Sequence, residues 1–235
     1  MKVIDFHSHI LPGIDDGSRN VETSLEILRR CKEHGVDTMV ATPHFYADLD
    51  RVDDFLSKRE NAYEVLMAQK EERMPEIFVG AEVAFFSGMS RAQRIQDLTI
   101  QGTNLILVEM PFVTWNQSVI DEIKALIYEK NLQVILAHIE RFIGIKGNKE
   151  WVKKVLELPV LVQVNAEALL EWKGRGTILK LFRRGQAHLL GSDTHGLHRR
   201  PPNLWEGRDV LEQKLGKDCM EAVDHKGNEI LFHKG

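Results

Sequence analysis

The chain is poor in the residues that several common chemistries require. Of 235 residues only two are cysteine, Cys31 and Cys219. Two thiols so far apart supply neither a disulfide framework nor a thiolate metal motif. A cysteine-type phosphatase needs an arginine six residues beyond its nucleophile, and Asp37 and His225 hold those places. No glycine-rich P-loop is present either, since Gly144 and Gly147 lead to no Gly-Lys-Ser/Thr. Aromatic residues make up 7%, and 31 Lys and Arg against 35 Asp and Glu leave a net charge of -4. That balance excludes the basic excess of a nucleic-acid-binding protein. No run of about 18 apolar residues is long enough to cross a membrane. The opening Lys2-Val3-Ile4-Asp5-Phe6-His7 is too short and polar for a secretory signal. The expectation is a soluble, cytoplasmic protein whose Cys31, on the patterned face of a helix, is a buried and inert thiol.

What is present is an apolar fraction of 43% and ten histidines. The apolar content supports one substantial core, so residues 1–235 read as a single domain. Short continuous apolar runs recur at 3–6, 38–41, 77–83, 104–110, 133–137, 160–165 and 187–191, each followed by a helical stretch. Such runs fit strands of a parallel sheet covered on both faces. Val21, Leu25, Leu28 and Cys31 keep helical spacing and Gly35 stops them; Val119, Ile120, Ile123, Leu126 and Ile127 do so after Asn116, an N-cap. Alternation of strands and helices leaves a doubly wound sheet or a closed barrel. The tail from Asp218 reads as a short helix with a strand-like end.

Placed on this scaffold, the ionisable residues collect at one end of the strands. His7 and His9 close the first strand, one residue apart and therefore on one face. Asp16 follows in the loop, and His44 comes after the second strand. Glu82, Glu109 and His138 close the third, fourth and fifth, while Asp193 and His195 follow the seventh. In parallel barrels the carboxyl ends of the strands are where active sites assemble. Each signal alone is weak, but four carboxylates and five imidazoles converging on one rim need cations to make their crowding tolerable. Blander roles suit the rest: His34 caps a helix end, His188 begins a strand at the opposite end, His198, His225 and His233 are exposed, and Asp15 points to solvent. Lys146 and Lys149 read as a solvated loop. Of Phe45, Tyr46, Phe85, Phe86, Phe112 and Trp115, about half are core or lid packing and the others wall a cleft.

Four segments carry a resemblance: His7-Ser8-His9-Ile-Leu-Pro-Gly-Ile-Asp15-Asp16-Gly17, Ala41-Thr42-Pro43-His44, His138-Ile139-Glu140-Arg141, and Gly191-Ser192-Asp193-Thr194-His195 with Arg200-Pro201-Pro202 beyond. Together they resemble the polymerase-and-histidinol-phosphatase (PHP) superfamily, and within it the bacterial tyrosine phosphatases encoded with capsule or exopolysaccharide operons. The resemblance implies a distorted, TIM-like (β/α)7 barrel holding three divalent ions, usually manganese, with iron or zinc as alternatives. It assigns His7, His9, Glu82 and Asp193 to the first ion, Glu109 and His138 with bridging Glu82 to the second, and Asp16, His44 and His195 to the third. Arg141 and Arg200 would present planar donor forks to the phosphoryl group. Ile139 departs from the proline common in the family. The implied activity is hydrolysis of phosphotyrosine, without a covalent intermediate, on a tyrosine kinase that controls polysaccharide assembly. Histidinol-phosphate-type phosphatases and nucleic-acid phosphodiesterases share the ligand set. A regulatory module with a vestigial site would have lost at least one of the nine.

Overall fold

The apolar runs form a ring of parallel staves. The computed structural model describes residues 1–232. Its strands are β1 (Ile4–Ser8), β2 (Thr38–Ala41), β3 (His44–Phe45), β4 (Glu76–Val79), β5 (Glu82–Ala84), β6 (Leu105–Glu109), β7 (Gln133–Leu136), β8 (Leu161–Asn165) and β9 (Leu189–Gly191). One expected strand, 77–83, is broken in two, and the expected strand 38–41 is followed by a short strand, β3, that the apolar runs did not include. Thr42-Pro43 separates β2 from β3, because proline has no N–H for a ladder, and Gly80-Ala81 separates β4 from β5. The breaks divide the ring into a three-stranded sheet, β1-β2-β4, and a six-stranded one, β3-β5-β6-β7-β8-β9. The ring closes between the ends of β1 and β9. Ser8 bridges Thr194, the His9 N–H donates to the Thr194 carbonyl at 2.9 Å, and the Asp193 N–H donates to the His7 carbonyl at 2.8 Å. With each broken pair counted as one stave, the ring is the seven-staved barrel that the sequence implies, not a doubly wound sheet.

Helices cover the outside: α1 (Val21–Glu33), α2 (Val52–Met67), α3 (Gln117–Tyr128), α4 (Glu140–Ile143), α5 (Lys149–Val155), α6 (Ala166–Leu170), α7 (Trp172–Arg183), α8 (Leu204–Leu215) and α9 (Lys217–Phe232). Local chemistry starts them where expected. Asn20 Oδ1 accepts the Thr23 N–H at 2.9 Å to open α1, and Asn116 Oδ1 accepts the Val119 N–H at 3.2 Å to open α3. Among the described residues no helix is long and apolar enough to cross a membrane.

Two apolar layers result. The larger lies between strands and helices and includes Cys31. The smaller contains Ile4, Phe6, Val40, Leu105, Leu107, Ile135, Leu161 and Leu189 from six staves, and fills the lower barrel. The C-terminal tail departs from its expected short helix: α9 is one helix of 16 residues. Its Leu231 joins the small core, and a Cβ on Gly227 would lie 2.8 Å from Phe6. Asn228 ties it to the chain start, accepting the Lys2 N–H at 3.1 Å and donating to the Lys2 carbonyl at 2.8 Å. This helix plugs the base of the barrel. His233 lies outside the described residues.

Candidate metal centre

Along each stave the two-residue period carries the inward row from the apolar base to the mouth. Leu105 and Leu107 share a face with Glu109, and Leu189 is in step with Asp193. The first strand would go wrong by parity, because inward Ile4 and Phe6 would aim Ser8 at the axis. The register of β1 against β2 shifts between Asp5 and Ser8, where β1 has one residue more than β2. A one-residue bulge exchanges the faces and turns His7 and His9 inward. Two glycines leave them room: a Cβ on Gly191 would lie 2.6 Å from His7 Cβ, and one on Gly17 2.4 Å from His9 Cβ.

All nine residues singled out in the sequence meet at the mouth. His7 Nε2 and His9 Nε2 are 3.2 Å apart, and each is 3.2 Å from Glu82 Oε2 and 3.5 Å from Asp193 Oδ1. His138 Nε2 lies 2.7 Å from Glu82 Oε1 and 3.4 Å from Glu109 Oε1. His44 stands between groups, its Nδ1 3.0 Å from Glu82 Oε2 and its Nε2 3.5 Å from Asp16 Oδ1. His195 Nε2 is 3.3 Å from the same Asp16 oxygen. His7, His9, Glu82, His138, Asp193 and His195 are buried, while the Asp16 side chain is 69% exposed at the lip.

The donors themselves test whether cations fit. Gln163 Oε1 accepts the His138 N–H at 2.8 Å, which fixes it as oxygen, and His7 Nδ1 faces it at 3.2 Å. His9 Nδ1 faces Asp15 Oδ2 at 2.7 Å. Both rings thus carry a proton on Nδ1 and turn their Nε2 lone pairs toward each other and toward two carboxylate oxygens. Glu82 Oε2 and Asp193 Oδ1 are buried without a directed hydrogen bond. Four acceptors with no obligatory donor among them require positive charge at their centre. Ligands held about 2.1 Å from an ion sit roughly 3.0–3.4 Å from one another, close to the spacing here. The residues fit divalent ions, and three groups are spaced to hold one: His9, Asp16, His44 and His195; His7, His9 and Glu82; His44, Glu82 and Glu109.

Until an ion binds, the same surplus of negative charge acts on the imidazoles of His9 and His138 as a pull toward protonation. Burial opposes the His9 cation, yet Asp15, Asp193 and Glu82 push its pKa well above the ordinary value. His138 is raised to about 9, with Glu109 and Glu82 overcoming its desolvation. Burial would raise Glu82, but the charge of His7, the hydrogen bond of His138 and the adjacent ring nitrogen of His44 hold it well below the usual carboxylate range. His195 falls to about 4, from desolvation and the charges of His9 and Arg200.

Arg141 Nη2 donates to Asp193 Oδ2 at 2.6 Å, and Arg200 Nη2 donates to the same oxygen. Their partly exposed guanidiniums therefore stand at the mouth. Backbone strain collects here as well. Of four non-glycine residues with left-handed φ among the described residues, three are His138 (+29°), Asp193 (+53°) and Arg200 (+54°). Conformations of this kind persist where the surroundings over-determine them.

Asp15 corrects the expectation of a solvent-facing side chain. Its Oδ2 also accepts the His44 N–H at 3.0 Å and its Oδ1 accepts the Gly17 N–H at 2.9 Å. Burial works against its charge, but these bonds and the His9 partner lower its pKa to about 2. The stave that contributes no ligand candidate contributes the support: Gln163 Nε2 donates to Asn165 Oδ1 at 2.9 Å, and Asn165 Nδ2 to Asp193 Oδ2 at 2.8 Å. The signal for both was their alternate spacing inside the apolar run Leu161-Val162-Gln163-Val164-Asn165. Ile139 donates its N–H to the Gln163 carbonyl at 3.3 Å, a bond that proline could not make.

The blander expectations are met. His34 caps α1, with Nδ1 against the Arg30 carbonyl at 2.9 Å. His188 Nδ1 accepts the Val162 N–H at 3.0 Å beside the start of β9, and His198, His225 and Lys146 are exposed, as is Lys149, which opens α5 instead of lying in the loop. Burial pushes the Cys31 thiol well up, as an inert thiol requires. Phe45 and Trp115 are core; Phe112 is 57% exposed and packs 4.9 Å from Phe142, which in turn lies 5.6 Å from the His138 ring.

Comparison with known proteins extends this picture. The profile of the family described as capsular polysaccharide synthesis, CpsB/CapC, matches residues 3–233. The tyrosine-protein phosphatase YwqE of Bacillus subtilis is 28% identical over 238 residues, covering 97% of this chain and 91% of that protein. The tyrosine-protein phosphatase CpsB of Streptococcus agalactiae is 26% identical over 229 residues, 92% of each chain. A crystal structure from work on YwqE of B. subtilis and CpsB of Streptococcus pneumoniae, described as unique metal-dependent tyrosine phosphatases, superposes with a TM-score of 0.84 at 21% identity. It covers 99% of this chain and 96% of its own. A phosphotriesterase homology protein of Escherichia coli, solved with phosphate in its active site, shares the fold at a TM-score of 0.57 and 14% identity, over 94% of this chain and 95% of that one. With a family match that runs almost from end to end, this chain belongs to the CpsB/CapC family of capsular polysaccharide synthesis.

Proposed function

We propose that this chain is a metal-dependent phosphatase that hydrolyses phosphotyrosine on a protein, with a tyrosine kinase of polysaccharide assembly as its substrate and the cytoplasm as its compartment. The observation that carries the reading is Glu82 Oε2, a buried carboxylate oxygen within 3.2 Å of His7, His9 and His44 ring nitrogens and without a directed hydrogen bond. The names of the relatives supply the reaction, and two free thiols suit a reducing compartment.

Nine nitrogen and oxygen ligands with no thiolate suit manganese, iron or zinc. His7, His9, Glu82 and Asp193 would hold one ion, Glu82, Glu109 and His138 a second, and Asp16, His44 and His195 a third. Bound there, divalent ions draw charge from phosphoryl oxygens and acidify an attacking water. Arg141 is anchored to Asp193 by one amino group, which leaves the rest of its fork free to bind the phosphoryl oxygens and stabilise their charge in the transition state, whereas Arg200 spends one amino group on Asp193 and turns the other to His195 Nε2 at 2.8 Å, so that it lends its charge while holding both side chains. Asp15 and Gln163 keep His9 and His7 in the tautomer that turns Nε2 inward. His44 and His195 are committed as ligands, and a tyrosyl phenolate departs without a general acid.

The test is phosphate release by the manganese-loaded protein from phosphotyrosyl and phosphoseryl peptides and from histidinol phosphate, with and without chelator, alongside elemental analysis. Release from the phosphotyrosyl peptide, abolished by chelator, is expected. Equal release from all three substrates, or none from the phosphotyrosyl peptide, refutes the proposal.

A further inference from the structure

Beside the metal centre lies a cleft of about 590 Å³ between the loop that follows β1 and the loop that follows β9. Asp16, His195 and Arg200 line both the cleft and the centre, so the two are continuous. The charges along its walls are not balanced. Asp15 is engaged by His9, Gly17 and His44, Asp16 faces His44 and His195, and Arg200 is held by Asp193. Arg19 and Arg199, on opposite walls, are exposed, and neither guanidinium makes an ion pair or hydrogen bond among the described residues. Past Arg19 the groove continues into a second cleft of about 460 Å³ lined by Glu22 and by Lys58 on α2, the latter 4.0 Å from Asp50, so the unpaired charges are the two arginines. Unpaired cations concentrated in one groove are unexpected on a chain whose net charge is -4.

We infer that this groove is the recognition site for acidic residues flanking the phosphotyrosine of a protein substrate, held by Arg19 on one wall and Arg199 on the other. The inference rests on the phosphatase reading, because the phosphoryl group in the metal centre sets where the flanking residues lie. Two exposed charge contacts together are worth about tenfold in affinity, and salt weakens them.

The experiment uses the full manganese-loaded chain, two phosphotyrosyl peptides that differ only in acidic or alanine flanks, and para-nitrophenyl phosphate as a substrate without flanks. Binding of fluorescein-labelled peptides is followed by anisotropy beside turnover. The wild type is expected to bind the acidic peptide about tenfold more tightly and to show a correspondingly lower KM, an advantage that 0.5 M salt removes. In the R19A/R199A double variant the advantage disappears while turnover of para-nitrophenyl phosphate is unchanged; R19K/R199K restores it. Equal binding of the two peptides by the wild type, or a preference that survives in R19A/R199A, overturns the inference even if both peptides are hydrolysed. Charge-dependent binding lost in R19A/R199A, in a protein that hydrolyses none of the three substrates, upholds the groove and overturns the phosphatase reading instead.

Discussion

Asp15 offers the sharpest test of how the centre is held together. It touches no proposed ion, yet its carboxylate accepts from His9 Nδ1 at 2.7 Å and from the His44 backbone at 3.0 Å, so it orients two ligands at once. Its pKa falls from the ordinary 3.8 to about 2, against the burial that would raise it, which corresponds to roughly 2.4 kcal/mol favouring the charged form. Loss of a carboxylate that orients a metal-ligating histidine costs about 10–100-fold in metal affinity, and a hundredfold is about 2.7 kcal/mol, so two independent routes reach the same size. Asp15→Ala should lower manganese affinity about a hundredfold, and Asp15→Asn, whose amide oxygen still accepts the His9 proton, about tenfold. The lowered pKa fixes the sign of the pH dependence. The stabilisation is fully present above about pH 4 and is lost as the pH falls through about 2, so the deficit of Asp15→Asn should be constant between about pH 5 and 8. Competition with a fluorescent chelator measures the affinity, and urea unfolding across pH measures the stability. A folded Asp15→Ala protein with wild-type manganese affinity would refute the reasoning.

Three further outcomes follow from the geometry. Arg141→Lys keeps the charge but not the fork, so kcat should fall about a hundredfold with metal content unchanged; a change under threefold would remove Arg141 from the phosphoryl site. Gly191→Ala would place a methyl group 2.6 Å from His7 Cβ, costing about 1–3 kcal/mol and displacing that ring. Calorimetry should therefore show a lower Tm, and elemental analysis less metal. The Asp5 pKa is raised to about 6 by burial, which outweighs its bonds from Ser192 and His7. A carboxyl raised in the fold costs stability as it ionises, so the wild type should lose roughly 3 kcal/mol relative to Asp5→Asn between about pH 4 and 6; parallel urea-unfolding profiles would contradict this.

The nine ionisable residues were legible because His, Asp and Glu are conspicuous at the ends of apolar runs, and position within a parallel barrel says where those ends meet. Whether Asp15 or Asp16 turned inward was not legible, since adjacent carboxylates differ only in the path of the loop, and here both serve the centre. The bulge in β1 left no mark in composition: alternation of Ile4 and Phe6 with Asp5 and His7 reads as one regular strand, and only pairing with β2 shows the extra residue. Gly80 was a visible breaker within the expected strand 77–83, yet the apolar residues on either side of it outweighed its signal, and β3 was missed because two residues beyond Pro43 are too few to show a pattern. The plug was hidden for another reason. Helix α9 buries Met220, Val223, Gly227 and Leu231 at helical spacing, but a glycine inside that stripe reads as a break, and what the end beyond it covers shows only when the opening is known.

That plug has a kinetic consequence. With the floor covered by Leu231 and the shaft above it packed with side chains, the described residues leave the barrel one doorway, at the mouth. Reactant and orthophosphate reach the centre from the same side, and since the phosphoryl position admits one of them at a time, added orthophosphate is expected to raise KM and leave kcat unchanged.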